Sequence, residues 1–144
     1  MSKTPNSIVE ELDRIARGHG GLLKPEYVVD AASDPESVLH DRFTWDDSDA
    51  AREYRLWQAR QLIRCSVSME PRTEKTVRAF VSLTTDRSGD GGGYRSTVAV
   101  MRRREYREQL LEDALAELRV FERKYAALTE LAEVFAASRR LRGR

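Results

Sequence analysis

Apolar residues recur at helical spacing near the start of the chain. Ile8, Leu12 and Ile15 fall on one face of a helix, and a period of three to four residues is typical of an amphipathic helix. Ser7–Glu10 has the form of a capping box, which predicts the helix start. Gly18 and the glycines that follow it predict the helix end.

Three further helices are predicted in the first half of the chain. A proline in the first turn marks the second, Pro25–Ala32, and an Asp34-Pro35 step marks a third that ends near Phe43. Asp46 or Asp47 is the expected N-cap of a fourth helix that runs to about Arg64. The aromatic face of this helix carries Ala50, Tyr54, Trp57 and Gln61. That face predicts Trp57 in the core or in an interface.

The hydrophobic period then changes from helix to strand. Cys65–Glu70 and Val77–Leu83 are short and rich in β-branched and aromatic residues, which predicts a β-hairpin with a longer loop at 71–76. Thr84–Gly93 is a polar, glycine-rich loop. Ser96–Met101 fits either a helical turn or a third strand.

The last forty residues predict one long helix, or two helices joined by a bend near Ala126–Thr129, because no glycine or proline occurs between Arg104 and Arg139. Seven-residue spacing predicts an apolar stripe suited to oligomerisation. The stripe has Leu111, Leu118, Tyr125 and Ala132 at its a positions and Ala114, Phe121, Leu128 and Phe135 at its d positions. The partner of this stripe is either another subunit or the chain's own fourth helix.

These elements predict a mainly α fold with a small β-hairpin, in the α+β class. The 144 residues divide into a helical unit at 1–64, a hairpin with a glycine-rich loop at 65–100, and a long oligomerisation helix with a basic tail at 101–144. The length fits one small domain rather than a multi-domain enzyme.

Composition argues against several classes of protein. One cysteine and two histidines exclude a disulfide framework and leave no basis for a metal site or a cofactor. Neither His19 nor His40 has a neighbouring nucleophile, and Cys65 is expected to be structural, so no catalytic residue is assigned and a non-enzymatic protein is expected. No apolar run is long enough for a membrane span and no secretory signal is recognised, so a cytoplasmic protein is expected.

Charge is distributed unevenly along the chain. Residues 1–50 carry five basic and eleven acidic side chains, a net charge of −6, whereas residues 51–144 carry twenty basic and thirteen acidic ones, a net charge of +7. If DNA is bound, the basic part should bind it, because phosphates attract Lys and Arg. The candidate nucleic-acid-binding residues are Arg52, Arg55, Arg60, Arg64, Arg72, Lys75, Arg78, Arg102, Arg103 and Arg104.

Two familiar motifs are weak here. Pro25–Ala32 followed by Pro35–Phe43 has the lengths of a helix-turn-helix. Its second helix lacks the Arg, Lys, Asn and Gln pattern that reads bases, so a compact packing unit is the favoured interpretation. The glycines at 89–93 lack the Lys-Ser/Thr pair of a Walker loop, because Tyr94 follows them.

Several stretches resemble small proteins encoded by tailed phages and prophages, over roughly residues 20–136. The stretches are Gly21–Ala32, Ser37–Asp47, Ala50–Arg64, Val77–Leu83, Gly93–Arg95 and Tyr125–Phe135. Because those proteins are mostly described as hypothetical, the resemblance implies an origin and no activity.

The sequence therefore predicts a non-catalytic, phage-type binding protein. It would be a homo-oligomer formed through 104–139, with no membrane partner, and would act in phage DNA transactions such as regulation or packaging in the host cytoplasm. The alternative is a structural or host-protein-interaction protein, in which the acidic N-terminal unit docks on a basic surface of a host or phage protein or mimics DNA.

Overall fold

The computed structural model describes residues 5–45, 48–87 and 92–143. Its helices within these ranges are α1 (Pro5–Arg17), α2 (Pro25–Ala32), α3 (Asp49–Cys65), α4 (Thr97–Arg102), α5 (Arg104–Tyr125) and α6 (Ala132–Arg142). Its strands are β1 (Val67–Glu70), β2 (Lys75–Arg78), β3 (Phe80–Val81) and β4 (Arg95–Ser96). Short 3₁₀ turns lie at His40–Arg42, Thr84–Asp86 and Thr129–Leu131. The predicted class, mainly α with a small hairpin, is confirmed.

Helix α1 presents the predicted apolar face to the core. Ile8, Leu12 and Ile15 are all buried. The predicted capping box is wrong, because α1 already begins at Pro5, so Ser7 lies inside the helix. Proline suits the first helical turn, where its missing N–H has no partner to lose. Gly20 and the glycine after it end this region with positive φ angles of 65° and 91°.

Helix α2 has the predicted bounds, but the predicted third helix does not form. Residues 33–39 make successive turns, and only the 3₁₀ turn at His40–Arg42 follows. The Asp34 carboxylate accepts a hydrogen bond from the Glu36 amide at 2.9 Å, which stabilises a turn in place of a helix. Leu39 is still buried. The helix-turn-helix is therefore absent, since its second helix is missing.

Helix α3 is capped by Ser48, whose hydroxyl oxygen accepts a hydrogen bond from the Ala51 amide at 3.1 Å. The predicted caps at 46 and 47 lie outside the described residues. The core alternative for the Trp57 face was wrong, and the interface alternative stays a prediction. Ala59 and Ile63 are fully buried, whereas Trp57 is 50% exposed. The small and aliphatic side chains let α3 pack closely on α2 and β3, and the aromatic face is left outside the core.

The hairpin is shorter than predicted. Strands β1 and β2 pair antiparallel from Val67 opposite Arg78 to Glu70 opposite Lys75. The second run then bends at Ala79, and β3 pairs with β4 instead. The segment Ser96–Met101, predicted as either a helical turn or a third strand, therefore contains part of each. Ser96 ends strand β4 and is the N-cap of helix α4.

The core joins the N-terminal helices to the strands. Its apolar cluster extends from Ile8 in α1 through Leu23, Val28 and Ile63 to Tyr94. Leu23 and Tyr94 form an isolated antiparallel bridge in which each amide donates to the other's carbonyl at 2.7 Å. This bridge ties the segment before β4 to the start of the chain.

The C-terminal region is a helical hairpin. Of the two predicted alternatives, two helices joined by a bend is therefore the one that forms. Helix α5 ends at Tyr125, and α6 folds back against it. Glu122 pairs with Arg139 and Arg142, at 2.5 and 3.4 Å. Phe135 is buried, with its ring 6.2 Å from the Phe121 ring. These contacts stabilise the reversal.

The helix reversal corrects the predicted oligomerisation stripe. A straight seam from Leu111 to Phe135 is wrong, because the backbone turns between Tyr125 and α6. Phe121, Tyr125 and Phe135 instead pack within the hairpin. The other predicted positions differ in exposure: Leu118 is half-buried, and Leu111, Ala114, Leu128 and Ala132 are exposed.

Candidate functional site

An arginine-lined cleft of about 460 Å³ lies between α3, the strands and α5. Guanidinium groups from separate parts of the chain line it: Arg60, Arg64, Arg78 and Arg87. Because these cations converge on one concave surface, this cleft is the candidate binding site.

The cleft residues of α3 follow directly from its buried side. Ala59 and Ile63 are four residues apart and face the core. Arg60 and Arg64 come one residue later in each case, so they lie about 100° around the helix, at the border of the buried face. Arg60 is half-buried and Arg64 is exposed. The core contacts of α3 therefore hold both guanidiniums at the rim of the cleft.

Arg78 is positioned by the backbone around it. The Thr97 hydroxyl donates to the Arg78 carbonyl at 2.6 Å, and the Thr97 amide donates to the Ala79 carbonyl at 2.9 Å. These bonds attach the end of β2 to the start of α4. A mobile loop would hold the guanidinium less firmly, since ordering it on binding costs entropy.

The third side of the cleft comes from the loop on both sides of residues 88–91. Arg87 donates to the Ser82 carbonyl at 2.9 Å. Gly92 has a φ of +64°, and a Cβ at Gly93 would lie 2.5 Å from Leu22 Cδ1. Gly93 thus lets the backbone approach the Leu22 side chain closely, while Gly92 has a backbone angle that favours glycine.

A partly buried ion pair anchors this loop. Arg95 donates to both Asp86 carboxylate oxygens, at 2.8 and 3.0 Å. Hydrogen bonding to Asp86 raises the pKa of Arg95 above its ordinary value. The Arg95 guanidinium also lies 4.6 Å from the centre of the Tyr106 ring. The pair therefore fixes Arg87, next to Asp86, relative to β4 and α5.

Two carboxylates face the arginines from α5. Asp113 accepts hydrogen bonds from the Thr84 amide at 2.9 Å and from the Thr84 hydroxyl at 2.6 Å. Glu117 also lines the cleft. With four guanidiniums and two carboxylates, the lining carries a net charge of +2. Among the described residues, Arg60, Arg64 and Arg78 form no ion pair. Their charge therefore remains open to a ligand.

The structure brings three of the ten predicted basic residues into the cleft, namely Arg60, Arg64 and Arg78. Arg52 is exposed earlier on α3, and Arg55 donates to the Thr44 carbonyl at 3.2 Å. The others lie elsewhere: Arg72 and Lys75 are in or beside the hairpin tip, Arg102 is in a separate cleft, Arg103 stacks on Tyr106, and Arg104 pairs with Glu108.

Sequence reasoning missed Arg87. It lies in the polar loop, and the contacts that hold this part of the loop, above all the pairing of Asp86 with Arg95, join it to residues more distant in sequence. The glycine-rich segment also borders the cleft through Gly92 and Gly93. There the backbone of Gly93 lies close to Leu22. This contact does not depend on a Walker motif.

The described part of the chain contains no cluster of three or more metal-binding side chains. It also contains no helix with the length and apolar character needed to cross a bilayer. His40 is engaged structurally, with Nδ1 2.8 Å from the Ala32 carbonyl oxygen and its ring stacked on Trp45. Cys65 is exposed at the end of α3.

No known protein family, curated protein or solved structure matches this chain.

Replacing Arg95 by Met should destabilise the fold, because Asp86 would lose both hydrogen bonds in a partly buried setting. We expect a loss of about 1.5–3 kcal/mol in the free energy of unfolding, measured by urea denaturation. The matched control is Arg104→Met, which breaks the exposed Arg104–Glu108 pair and should change stability by less than about 0.5 kcal/mol. Equal effects of the two substitutions would contradict the anchoring role of Arg95.

Proposed function

We propose that this protein is a non-catalytic DNA-binding protein whose arginine-lined cleft contacts the phosphate backbone. The observation that carries the proposal is the convergence of Arg60, Arg64, Arg78 and Arg87 on one concave surface. A guanidinium presents several N–H donors in a plane that matches phosphate oxygens, and it stays charged at neutral pH. We place this role in phage DNA transactions, regulation or packaging, within the host cytoplasm, because the resemblance to phage proteins indicates an origin in a phage genome.

The positions of the four arginines in the fold favour a ligand with several phosphates. Arg60 and Arg64 lie on one helix, Arg78 ends a strand, and Arg87 follows a 3₁₀ turn. Four cations spaced along a cleft match a backbone with repeated charges better than they match one small anion. The carboxylates of α5 border one side, and like-charge repulsion would keep the strand against α3 and the loop.

The proposal of a non-catalytic role is supported by the positions of the nucleophile and base candidates. His40 is held by the Ala32 carbonyl and by stacking on Trp45, and Cys65 lines a different pocket with Arg42 and Leu62. Neither His40 nor Cys65 lines the arginine cleft. A catalytic Cys–His pair needs its two side chains within hydrogen-bond reach, and His40 does not line the pocket that Cys65 lines.

The DNA proposal is tested by the salt dependence of binding. Each phosphate contact releases a counterion, so log affinity falls with log salt concentration by about 0.9 per contact on a duplex and about 0.7 on a single strand. The double variant Arg60→Ala/Arg64→Ala should weaken binding and lower this slope by up to about two units. Fluorescence anisotropy with a labelled oligonucleotide measures both quantities.

The matched control removes the same charge from another surface. Arg72→Ala/Lys75→Ala changes the exposed hairpin tip and leaves the cleft intact. We expect it to lower the slope by clearly less than the cleft variant. Equal reductions of the salt slope in the two double variants would show that DNA binding depends on overall positive charge rather than on the cleft. Absence of salt-dependent binding to DNA would overturn the proposed function and favour the alternative in which the acidic first fifty residues dock on a basic protein.

We also propose that α5 and α6 mediate self-association, which supports binding along DNA by presenting several clefts. Helix α5 has 22 residues, yet Leu115 is its only buried residue in the described chain. Leu111 and Leu141 border a second cleft of about 570 Å³ beside Leu115, and they are 52% and 44% exposed. Covering such side chains with a second copy removes apolar surface from water.

Charging this second cleft should abolish an oligomer without unfolding the chain. In Leu111→Glu/Leu141→Glu, both substituted side chains are already largely exposed. Val120→Glu/Val134→Glu is the control, since it adds the same charge at exposed valines of the same helices that do not line this cleft. Light scattering should give an oligomer for the wild type and the control and a monomer for the test variant. A monomeric wild type would disprove the proposal.

A further inference from the structure

Helix α3 carries an exposed aromatic pair next to the arginine cleft. Tyr54 is 49% exposed and Trp57 is 50% exposed. Their rings are stacked, with centroids 5.7 Å apart and an angle of 15° between planes. The core does not account for this pair, because α3 turns Ala59 and Ile63 inward instead. An exposed tryptophan on a regular helix offers a large flat surface that is already oriented.

Trp57 and the cleft arginines share one face of α3. Arg60 follows Trp57 by three residues and Arg64 follows it by seven, which are the spacings of side chains on the same side of a helix. Two turns of helix span about 11 Å, so Trp57 and Arg64 are within the reach of neighbouring nucleotides. The cleft is thus continued along α3 by a stacking surface.

The other exposed tryptophan differs from Trp57. Trp45 is stacked on His40 with centroids 5.0 Å apart, the guanidinium of Arg55 lies 5.1 Å from its ring centre, and its indole N–H donates to the His40 carbonyl. Its ring is therefore covered by contacts within the chain. Among the described residues, the ring contact of Trp57 is with Tyr54.

An aromatic surface at the edge of a cationic groove suits unpaired bases. Every base has a flat face that stacks on an aromatic ring, while arginines neutralise the phosphates between bases. In a duplex those faces are already stacked, and sequence is read by an element inserted into a groove. The second helix of the predicted helix-turn-helix, which would have been the reading element, does not form, because residues 33–39 make turns. A cleft of about 460 Å³ has the volume of a small-molecule pocket, which is enough for about one nucleotide of a single strand.

We propose that α3 binds single-stranded DNA, with Arg60 and Arg64 on phosphates and a base stacked on Trp57. This inference rests on the proposed DNA-binding function and specifies its ligand. Tyr54 supports the Trp57 ring and extends the stacking surface. The protein would then prefer unpaired DNA to a duplex of the same length, with little dependence on sequence, because stacking does not distinguish strongly among bases.

The test compares a labelled oligothymidylate of about 20 nucleotides, which is long enough for at least one binding site, with the matching duplex, by anisotropy over a range of salt concentrations. The wild type should bind the single strand more tightly. Trp57→Leu should weaken single-strand binding about 5- to 100-fold, with an unchanged salt slope and unchanged duplex binding. Trp57→Phe should restore most of the affinity. Met69→Ala is the control, because Met69 is an exposed apolar side chain on β1 rather than on α3.

The outcomes separate this inference from the proposed function. The inference is overturned if the protein binds the duplex as tightly as the single strand, or more tightly. It is also overturned if Trp57→Leu binds the single strand with wild-type affinity. If the Arg60→Ala/Arg64→Ala variant still loses affinity in that case, the cleft keeps its DNA-binding role. Tighter binding of oligouridylate than of oligothymidylate overturns the assignment to DNA in favour of RNA. Loss of salt-dependent binding to both forms of DNA overturns inference and function together. Thermal unfolding should show that Trp57→Leu retains the wild-type fold, because Trp57 lies outside the core.

Discussion

The backbone bridge between Leu23 and Tyr94 is the contact on which the cleft depends. Its two hydrogen bonds, both 2.7 Å, join positions 71 residues apart. Leu23 is fully buried and Tyr94 nearly so, which shields these bonds from water. The bridge places Gly93 under Leu22 and directs β4 alongside β3. From β4 the chain enters α4 and α5, so the position of the α5 wall also follows from this bridge.

The cleft brings together arginines that do not stabilise the fold through ion pairs. Arg95 is neutralised by Asp86, and Arg139 is neutralised by Glu122, so these arginines stabilise the structure. Arg60, Arg64 and Arg78, by contrast, face the cleft without an ion pair among the described residues. Holding like charges close together is unfavourable until a polyanion neutralises them. Burial of Ala59 and Ile63 fixes the helix that carries two of them.

Local signals in the sequence predicted the elements better than they predicted the packing. Proline starts and glycine stops gave α2 and the end of α1, because these residues act through their own backbone angles. A core position for Trp57 was wrong, because size and hydrophobicity favoured this residue whereas Ala59 and Ile63 are the residues of α3 that are buried. Arg87 was missed, since its position depends on a pairing between Asp86 and Arg95 that no local pattern contains.

An NMR titration of the ¹⁵N-labelled protein with an oligothymidylate locates the DNA contact without substitutions. We expect the largest shifts at the Gly92 and Gly93 amides and at the side-chain Nε–H groups of Arg60, Arg64 and Arg87, which surround one cleft. The indole N–H of Trp57 should shift with the same affinity, whereas that of Trp45 should shift little, because Trp45 is held by His40. Shifts confined to the hairpin tip at 71–75 or to the end of α6 would contradict the account.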